Sequence, residues 1–598
     1  MSLALEDPSI WTWSPEAKAR WNEASDEWQS FHSHFRNASP TETESFPYRL
    51  SLLSSKAHRP RFLPFSGDRL LVRESYDELF SRACRLREEG PDFGIVVTGQ
   101  PGNGKTTWLY YFLTQLLRMH QVVIFASRGV VFVFYHDGVY SLLETSVDAD
   151  TFPECSKPIW CLIDPDHGPV KEPVAALTST KVFPVMATSP NPNCYRAWKK
   201  QRRARMWGMP LWSEEELWEG LQLQSEYQNL FDEERTTPRD DGAMAHDDDE
   251  TLNIAMEEKL KAAIYTYGTS PGDVYGALFD SDEIRMDLYD ALDALRYEDI
   301  LCANPFYGQT PSAAAHRIMC IKPRTASTGS RIVGSDSFDI DFKSEEIMRL
   351  VKDRLQLLPY SQARRLISFC QYHSSPEGSN LADCAFEAFT YALLTANFDT
   401  GIRIDLPDLI SMVPSTESTA GNFSGFSTPD NSSSCTPSNL RFPVQTKRVV
   451  HVDFKSFILR EPHSTLYVSK GCNNSLFDAF AFDFEGSETT GIAVVWIVRS
   501  TISTECGGGS DKGSAHIRAI KEAALKHVEK LLETDKGRKR KRPVAAQVVF
   551  KYVLACPSLP GKVKRTWTIP TLWDHQGGKL EGHVYCQHIP VEHAFGGE

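Results

Sequence analysis

Eight residues at positions 99–106, Gly-Gln-Pro-Gly-Asn-Gly-Lys-Thr, have the composition and spacing of a phosphate-binding loop. The glycines allow the backbone to curl so that successive N–H groups point at phosphate oxygens. We expect Lys105 to reach the β- and γ-phosphates of a nucleotide and Thr106 to bind Mg²⁺. The expected phosphate-binding residues are Gly99, Gln100, Pro101, Gly102, Asn103, Gly104, Lys105, Thr106 and Thr107. The alternative is a glycine-rich turn before an ordinary helix, which the completeness of the motif disfavours.

An aspartate at the end of an apolar run is a candidate second ligand for the metal. Asp164 follows the strand-like residues 159–163, which suits the Walker B aspartate that helps to hold Mg²⁺. The alternative is an ordinary turn aspartate before Pro165. The glutamate that usually comes next is replaced by Pro165, and Asp166 could position the attacking water instead. If Asp166 cannot do so, the protein binds nucleotide and turns it over slowly.

Further candidates follow the apolar run 182–186. Ser189 stands where a sensor of the γ-phosphate would lie, and we assign it a catalytic role. Arg202, Arg203 and Arg205 come soon afterwards, and each could supply an arginine finger. The alternative for any one of these arginines is a solvated basic helix face.

Strands and helices alternate around these residues, which predicts an α/β fold with a mostly parallel sheet. The expected strands are residues 95–97, 122–126, 159–163 and 182–186, with a helix directly after the loop. Asp137-Gly138 lies between two β-rich runs, 130–134 and 139–143, and predicts a hairpin. Because ligands of such sheets bind at the carboxyl ends of the strands, the candidate residues should lie at one edge.

The composition is that of a large globular protein with several folding units. The chain has 598 residues, of which 41% are hydrophobic and 24% charged, and its net charge of −14 argues against a broadly basic surface. Its 13 cysteines include no Cys-x-x-Cys pair, which is typical of reduced intracellular thiols. We see no signal-peptide pattern and no apolar run of about 18 residues that would span a membrane.

One basic run departs from this acidic balance. Residues 536–542, Lys-Gly-Arg-Lys-Arg-Lys-Arg, are typical of a nuclear-import signal or of a patch that binds DNA. A solvated charged loop is an equally weighted alternative.

Changes in composition divide the chain into segments. Residues 1–65 form a lead-in rich in Trp and Pro, whose Trp11, Trp13, Trp21 and Trp28 we expect to be core or contact residues. The remaining segments are an α/β unit at 66–230, an acidic insertion expected to be disordered at 231–250, a helical lid or linker at 251–370, and an α/β unit at 371–598 with a Ser/Thr-rich insertion, also expected to be disordered, at 411–445.

Four strings of this sequence resemble the NTPase of Crinkler effectors, which also occurs in retrotransposon hot spot proteins of oomycetes, fungi and trypanosomes. They are residues 97–106, 160–164, 187–190 and 209–217, and the last, Met-Pro-Leu-Trp-Ser-Glu-Glu-Glu-Leu, is the most family-specific. The resemblance covers about 66–230 and implies a P-loop NTPase that uses ATP and Mg²⁺. No motif that reads the base is visible, so the choice between ATP and GTP stays open.

The same family commonly couples its NTPase to a nuclease-like domain of the PD-(D/E)XK class, with a restriction-endonuclease-like fold. That resemblance places Glu387 at the first acidic position, Asp478 at the metal-binding aspartate and Arg499 on the third element. Glu387 and Asp478 could share a divalent ion that polarises a phosphodiester. The alternative for each acid is an ordinary surface or capping residue.

Two departures from the family pattern limit this interpretation. Relatives place Gln or Lys where Arg499 stands, and a permanently charged arginine holds no metal and cannot act as a base. The lid segment 270–273 shows no obvious nucleotide-sensing arginine. Three functions therefore stay open: an ATP-dependent nuclease that acts on nuclear DNA, a nucleotide-driven switch whose inactive C-terminal module binds a partner, and an intracellular ATPase with a structural tail. The oligomeric state stays open too.

Overall fold

The structure, a computed structural model, divides the chain into two compact units, Met1–Ile347 and Met348–Glu598. It describes residues 7–38, 45–51, 69–90, 92–155, 157–165, 172–236, 249–296, 313–323, 338–355, 362, 380–395, 406–415, 423–429, 440–443, 448–452, 454, 457–459, 462–469, 477–486, 490–503, 505–507, 511–534, 545–558, 564–570 and 583–590. Among these residues, none of the helices combines the length and the apolar character needed to cross a membrane.

Apolar runs of the N-terminal unit form the strands of one large mixed sheet. In chain order its strands are β1 (Asn22–Glu23), β4 (Ile95–Thr98), β5 (Val123–Ser127), β6 (Val130–Tyr135), β7 (Gly138–Leu143), β8 (Ile159–Asp164), β9 (Val182–Ala187) and β10 (Arg205–Gly208); β2 (Tyr48–Ser51) and β3 (Arg69–Val72) pair separately. The spatial order of the large sheet is β1-β7-β6-β5-β8-β9-β4-β10.

The sheet is mixed rather than mostly parallel. Strands β5, β8, β9, β4 and β10 pair in parallel, as the alternation of strands and helices predicts. The predicted hairpin at Asp137-Gly138 is confirmed, but it adds the antiparallel strands β6 and β7, and β1 from the lead-in pairs antiparallel with β7. The antiparallel part of the sheet therefore comes from the hairpin and from β1, a segment in which the sequence pattern predicts no strand.

Helices cover both faces of this sheet. They are α1 (Pro15–Lys18), α2 (Asp26–Asn37), α3 (Glu74–Glu89), α4 (Lys105–Arg118), α5 (Arg196–Gln201), α6 (Glu214–Leu221) and α7 (Tyr227–Thr236). Alternate residues of β4 enter different core clusters: Ile95 and Val97 pack into one and Val96 into the other. Burial on both faces explains why the parallel strands are continuous apolar runs in the sequence.

The tryptophans of the lead-in are core residues, as predicted. Trp28 lies in the same core cluster as Trp108 of α4, whereas Trp11 and Trp21 lie in the other cluster. Trp13 is half-buried and makes edge contacts with Trp21 and Tyr135. The lead-in thus covers both faces of the sheet near its antiparallel strands.

The region that follows is helical with one added pair of strands. Its helices are α8 (Asp249–Tyr267), α9 (Pro271–Phe279), α10 (Ser281–Ala294), α11 (Ala313–Ile318) and α12 (Glu345–Leu355), and the antiparallel strands are β11 (Met319–Pro323) and β12 (Phe338–Phe342). The insertion predicted at 231–250 is helical up to Thr236 and again from Asp249, and residues 237–248 lie outside the described part of the chain.

The C-terminal unit is also α/β. Its larger sheet has the order β13-β23-β21-β19-β18-β17-β16, and its smaller sheet has the order β14-β15-β22-β20. The elements are α13 (Asn380–Thr395), β13 (Ile410–Ser411), β14 (Val413–Pro414), β15 (Phe423–Ser427), β16 (Arg448–Val452), β17 (Thr465–Ser469), β18 (Ala479–Gly486), β19 (Thr490–Ser500), β20 (Glu505–Gly507), α14 (Asp511–Thr534), β21 (Ala545–Pro557), β22 (Thr566–Pro570) and β23 (Val584–Ile589).

Part of the insertion predicted to be disordered at 411–445 is ordered strand. Strand β15 pairs with β22, and Phe426 is buried in the core cluster of this unit with Trp567. Ser424 and Ser427 belong to this strand, so a Ser-rich composition does not by itself exclude ordered structure.

A buried histidine of α2 makes the stability of the N-terminal unit depend on pH. Burial, and then Arg36, lower the pKa of His32 to about 4. Between pH 6.5 and pH 4, His32 binds a proton in the unfolded chain but not in the folded chain. This histidine therefore does not reduce the free energy of unfolding above pH 6.5, and it reduces that free energy progressively as the pH falls. The loss is at most about 3 kcal/mol.

We predict that His32→Leu reduces the fall in melting temperature between pH 7 and pH 5, because the substituted side chain has no proton to gain. The measurement is thermal unfolding of the full chain followed by circular dichroism. Substitution of the exposed His463 by Gln should leave the pH dependence unchanged. Equal pH dependence in wild type and His32→Leu would contradict this assignment.

Candidate nucleotide and metal sites

The predicted phosphate-binding residues form a tight turn between β4 and α4. Gly102 and Gly104 adopt left-handed backbone conformations, with φ of +77° and +83°, and α4 begins at Lys105. The Lys105 ammonium donates hydrogen bonds to the carbonyl oxygens of Gly99 at 3.2 Å and Gln100 at 2.9 Å. The loop therefore curls around the charge of its own lysine, and Thr106 lies half-buried on the first helical turn.

The segment 209–217, which carries the most specific part of the resemblance, fixes the loop from one side. Asn103 donates its side-chain N–H groups to the carbonyl oxygens of Pro210 at 2.6 Å and Met209 at 3.2 Å. In return, the Trp212 indole N–H donates to the Asn103 carbonyl at 3.2 Å. These contacts position the loop, so the segment 209–217 has a structural role at the candidate site.

A buried arginine anchors this segment in turn. Arg73 is 1% exposed, and its guanidinium donates to the Leu211 carbonyl at 2.8 Å and to the Glu216 carboxylate at 2.9 Å. Glu216 also completes a capping box with Ser213 at the start of α6. Removing one member of such a buried ion pair typically costs about 3–5 kcal/mol, because the other charge is left without compensation.

Tyr76 of α3 supports the loop at Gly104. Its hydroxyl donates to the Gly104 carbonyl at 2.9 Å. A Cβ atom at position 104 would lie 2.3 Å from that hydroxyl oxygen, in addition to the strain of a positive φ. The turn therefore requires glycine here for two independent reasons.

The metal and sensor candidates follow strands that end at the same edge as the loop. Asp164 ends β8, is 3% exposed, and adds to the effect of burial in raising the pKa of Tyr110 on α4. Ser189 follows β9, which lies between β8 and β4 in the sheet. The parallel order thus brings Lys105, Asp164 and Ser189 to one edge. Pro165 is buried, and Asp166 lies outside the described residues.

Four titratable residues of the helical region that follows the sheet were missed from the sequence. Asp273 of α9 is paired with Arg317 at 2.7 Å and with Lys343 at 2.6 Å. His316 is close enough that burial, Lys343 and Lys105 all lower its pKa. The lid segment 270–273 lacks an arginine in its own sequence, but the fold brings Arg317 to it from α11, and no local pattern could have predicted that contact.

The three arginines considered as fingers lie at the opposite edge of the sheet. Arg202 is buried and donates to the carbonyl of Val182, the first residue of β9, at 2.9 Å. Arg205 is the first residue of β10 and pairs in register with Ile95, the first residue of β4. Since the loop leaves the carboxyl end of β4, these arginines and the nearby Arg203 do not reach the loop of the same chain.

In the C-terminal unit, the candidate metal-binding acids belong to one buried charge cluster. Asp478 accepts a hydrogen bond from Arg499 at 2.5 Å and another from the Ser500 backbone N–H at 2.6 Å. Burial raises the pKa of Asp478 to about 6, Arg499 opposes the rise and Glu387 adds to it. Arg499 and Ser500 therefore occupy both oxygens of Asp478, which lies within the electrostatic reach of Glu387.

Lys352 completes this cluster, and sequence reasoning missed it. Glu387 of α13 contacts the ammonium of Lys352 on α12 and the hydroxyl of Tyr391. Burial alone would lower the pKa of Lys352, but Glu387, together with Cys384 and Asp478, raises it above its usual value. Lys352 precedes the boundary predicted at residue 371, so it fell in a different segment from the acids it pairs with. The basic run 536–542 lies outside the described residues.

Comparison with known proteins gives a partial similarity. No protein-family model matches the chain. Crinkler effector protein 15 and Crinkler effector protein 16 of Phytophthora infestans are each 32% identical to it over 152 residues. The matched region is 25% of this chain and 24% of each relative, so the chain spans about a quarter of the length of the curated relatives it matches. Part of the chain is thus similar to Crinkler effectors, and the pairing with a nuclease domain remains a prediction.

We predict that Gly104→Ala destabilises the protein by about 1–3 kcal/mol, the usual cost of a strained backbone position. The displaced Tyr76 hydroxyl should also open the loop to proteolysis. Gly272→Ala is the matched control, because a Cβ atom there meets nothing within 4 Å. Chemical unfolding and limited proteolysis measure the two effects. Equal stability of the two variants would contradict the structural role of Gly104.

Proposed function

We propose that the N-terminal unit binds a nucleoside triphosphate together with Mg²⁺ at the loop 99–106. The observation that carries the proposal is the turn with left-handed glycines that curls around the Lys105 ammonium at the start of α4. The Lys105 charge and the positive end of the helix both favour bound phosphate. Asp164 and Ser189 follow strands that end at the same edge of the sheet.

The donor set fits a phosphate–metal ligand. The Lys105 ammonium would exchange its carbonyl partners for phosphate oxygens, while Thr106 and Asp164 supply the hydroxyl and carboxylate oxygens that Mg²⁺ prefers. A bound Mg²⁺ neutralises charge on the phosphates during transfer. ATP is the nucleotide that the resemblance implies.

Slow turnover is the expected behaviour of this site. Pro165 replaces the glutamate that would orient the attacking water, and Arg202, Arg203 and Arg205 lie at the far edge of the sheet. Arg317 is held by Asp273 and Asp287. A site that binds tightly and hydrolyses slowly suits a switch, in which the bound nucleotide selects between two states of the chain.

We predict that Lys105→Ala lowers the affinity for MgATP at least tenfold, since the phosphates lose the ammonium that the loop is built around. Isothermal titration with MgATP and with MgGTP measures the affinity and the preference for the base. Lys200→Ala, an exposed residue of α5, is the matched control. Unchanged binding by Lys105→Ala would contradict the proposed site, and turnover above about 1 per second would contradict the slow switch.

A second function is favoured by the charge cluster of the C-terminal unit, and we propose a nuclease-like site there. Glu387 and Asp478 would hold a divalent ion that polarises a phosphodiester of DNA. Lys352 supplies, from α12, the lysine that Arg499 replaces on β19. Competing with this, the ion pairs Lys352–Glu387 and Arg499–Asp478 already balance both acids. A module that binds a partner without cleaving DNA is the alternative.

We predict weak Mg²⁺-dependent nicking of supercoiled plasmid by the full chain. Asp478→Asn should abolish it, and Arg499→Lys, which restores the residue type of the family pattern, should increase it several-fold. Asp483→Asn, a half-buried residue of β18, is the matched control. If neither wild type nor Arg499→Lys nicks DNA, the proposed nuclease-like site is contradicted.

The partial similarity to Crinkler effectors supports an effector-like role for the whole chain. Nuclear action is proposed from the basic run 536–542.

A further inference from the structure

Two cysteines and a histidine converge at the ends of two neighbouring strands in the C-terminal unit. Cys556 lies near the end of β21, and Cys586 and His588 lie on β23, which pairs with β21 in parallel. Cys556 is in register with His588, and residues two apart on a strand share a face. The Cys556 sulfur lies 3.4 Å from the Cys586 sulfur and 3.9 Å from Nδ1 of His588.

These distances are those of a metal-ligand set. Zn²⁺ binds thiolate sulfur at about 2.3 Å and imidazole nitrogen at about 2.0–2.1 Å, so tetrahedral ligand atoms are separated by about 3.8 Å for two sulfurs and about 3.5 Å for sulfur and nitrogen. All three ligand atoms lie within 4.8 Å of one another. The two distances from the Cys556 sulfur each differ from these separations by about 0.4 Å.

Two other interpretations of the cluster are weaker. Two neutral thiols could simply pack as small apolar groups, but that role does not require an imidazole beside them. A Cys556–Cys586 disulfide would need the sulfurs to approach from 3.4 Å to about 2.0 Å, and it would not use His588. A bound metal ion, in contrast, would be coordinated by all three residues.

We propose that Cys556, Cys586 and His588 bind a thiophilic divalent cation, Zn²⁺ by preference, as a structural site. Cys556 and Cys586 are fully buried, whereas His588 is half-buried and lies on the side open to solvent. The fourth position would be filled by water or by a group from outside the three residues. The metal would join the ends of β21 and β23, the strands that carry the ligands.

The full chain, purified under reducing conditions and stripped with a chelator, is titrated with Co²⁺ as the spectroscopic probe and then with Zn²⁺. We expect an absorption band of thiolate-to-cobalt charge transfer with the intensity of one thiolate-bound Co²⁺ per chain, and its loss when Zn²⁺ displaces the ion. His588→Gln should weaken binding at least tenfold, and Cys586→Ser should abolish the band. Cys84→Ala, a buried cysteine of α3 in the other unit, is the matched control.

Because Cys586→Ser removes a core residue, the half-buried His588 serves as the test that does not depend on folding of that variant. Binding that is unaffected by His588→Gln, or the absence of a charge-transfer band in wild type, would overturn the proposal.

Discussion

The hydrogen bonds of Asn103 to the 209–210 backbone are the contacts on which the candidate nucleotide site depends. They hold a turn that no L-residue side chain at Gly104 could adopt without strain, and so they fix where the Lys105 ammonium lies. Behind them stands the buried Arg73–Glu216 pair, which keeps the 209–217 segment in place. The loop is therefore shaped by contacts distant in sequence from its own residues.

The charged side chains of the two candidate sites have different kinds of partner. At the loop, the positive charge of Lys105 faces backbone carbonyls that a phosphate would replace. In the C-terminal unit, Glu387 and Asp478 are each paired with a cation that the protein supplies. A divalent ion there must compete with Lys352 and Arg499 for the same oxygens.

Much of the N-terminal fold could be predicted, because its strands are long apolar runs and its hairpin has an Asp-Gly turn. The parallel pairing of β4, β8 and β9 follows from that alternation of strands and helices, whereas their spatial order, β8-β9-β4, does not. The antiparallel β1 could not be predicted, because two polar residues in a Trp-rich segment carry no strand pattern. The ordered strand β15 was hidden by a Ser-rich composition, although Phe426 is buried.

The candidate sites also differ in whether a local sequence motif marks them. Local motifs predicted the loop and Asp164, since their spacing is set by one strand, turn and helix. Lys352, Arg317 and the cluster of Cys556, Cys586 and His588 depend on residues brought together by the fold, and no short pattern in the sequence marks them. Arg202 and Arg205 were considered as fingers because they follow β9 in sequence, but nearness to a strand in sequence does not determine at which end of the sheet a residue lies.

Hydrogen–deuterium exchange of the full chain, with and without MgATP, tests whether the loop 99–106 binds the nucleotide and is held in place by the segment 209–217. If the loop binds the nucleotide and is held by its neighbour, amides of residues 99–106 and of 209–217 should become protected together, and the protection should vanish in Lys105→Ala. If MgATP protects amides elsewhere in the chain and leaves the exchange of both segments unchanged, the nucleotide does not bind at the loop.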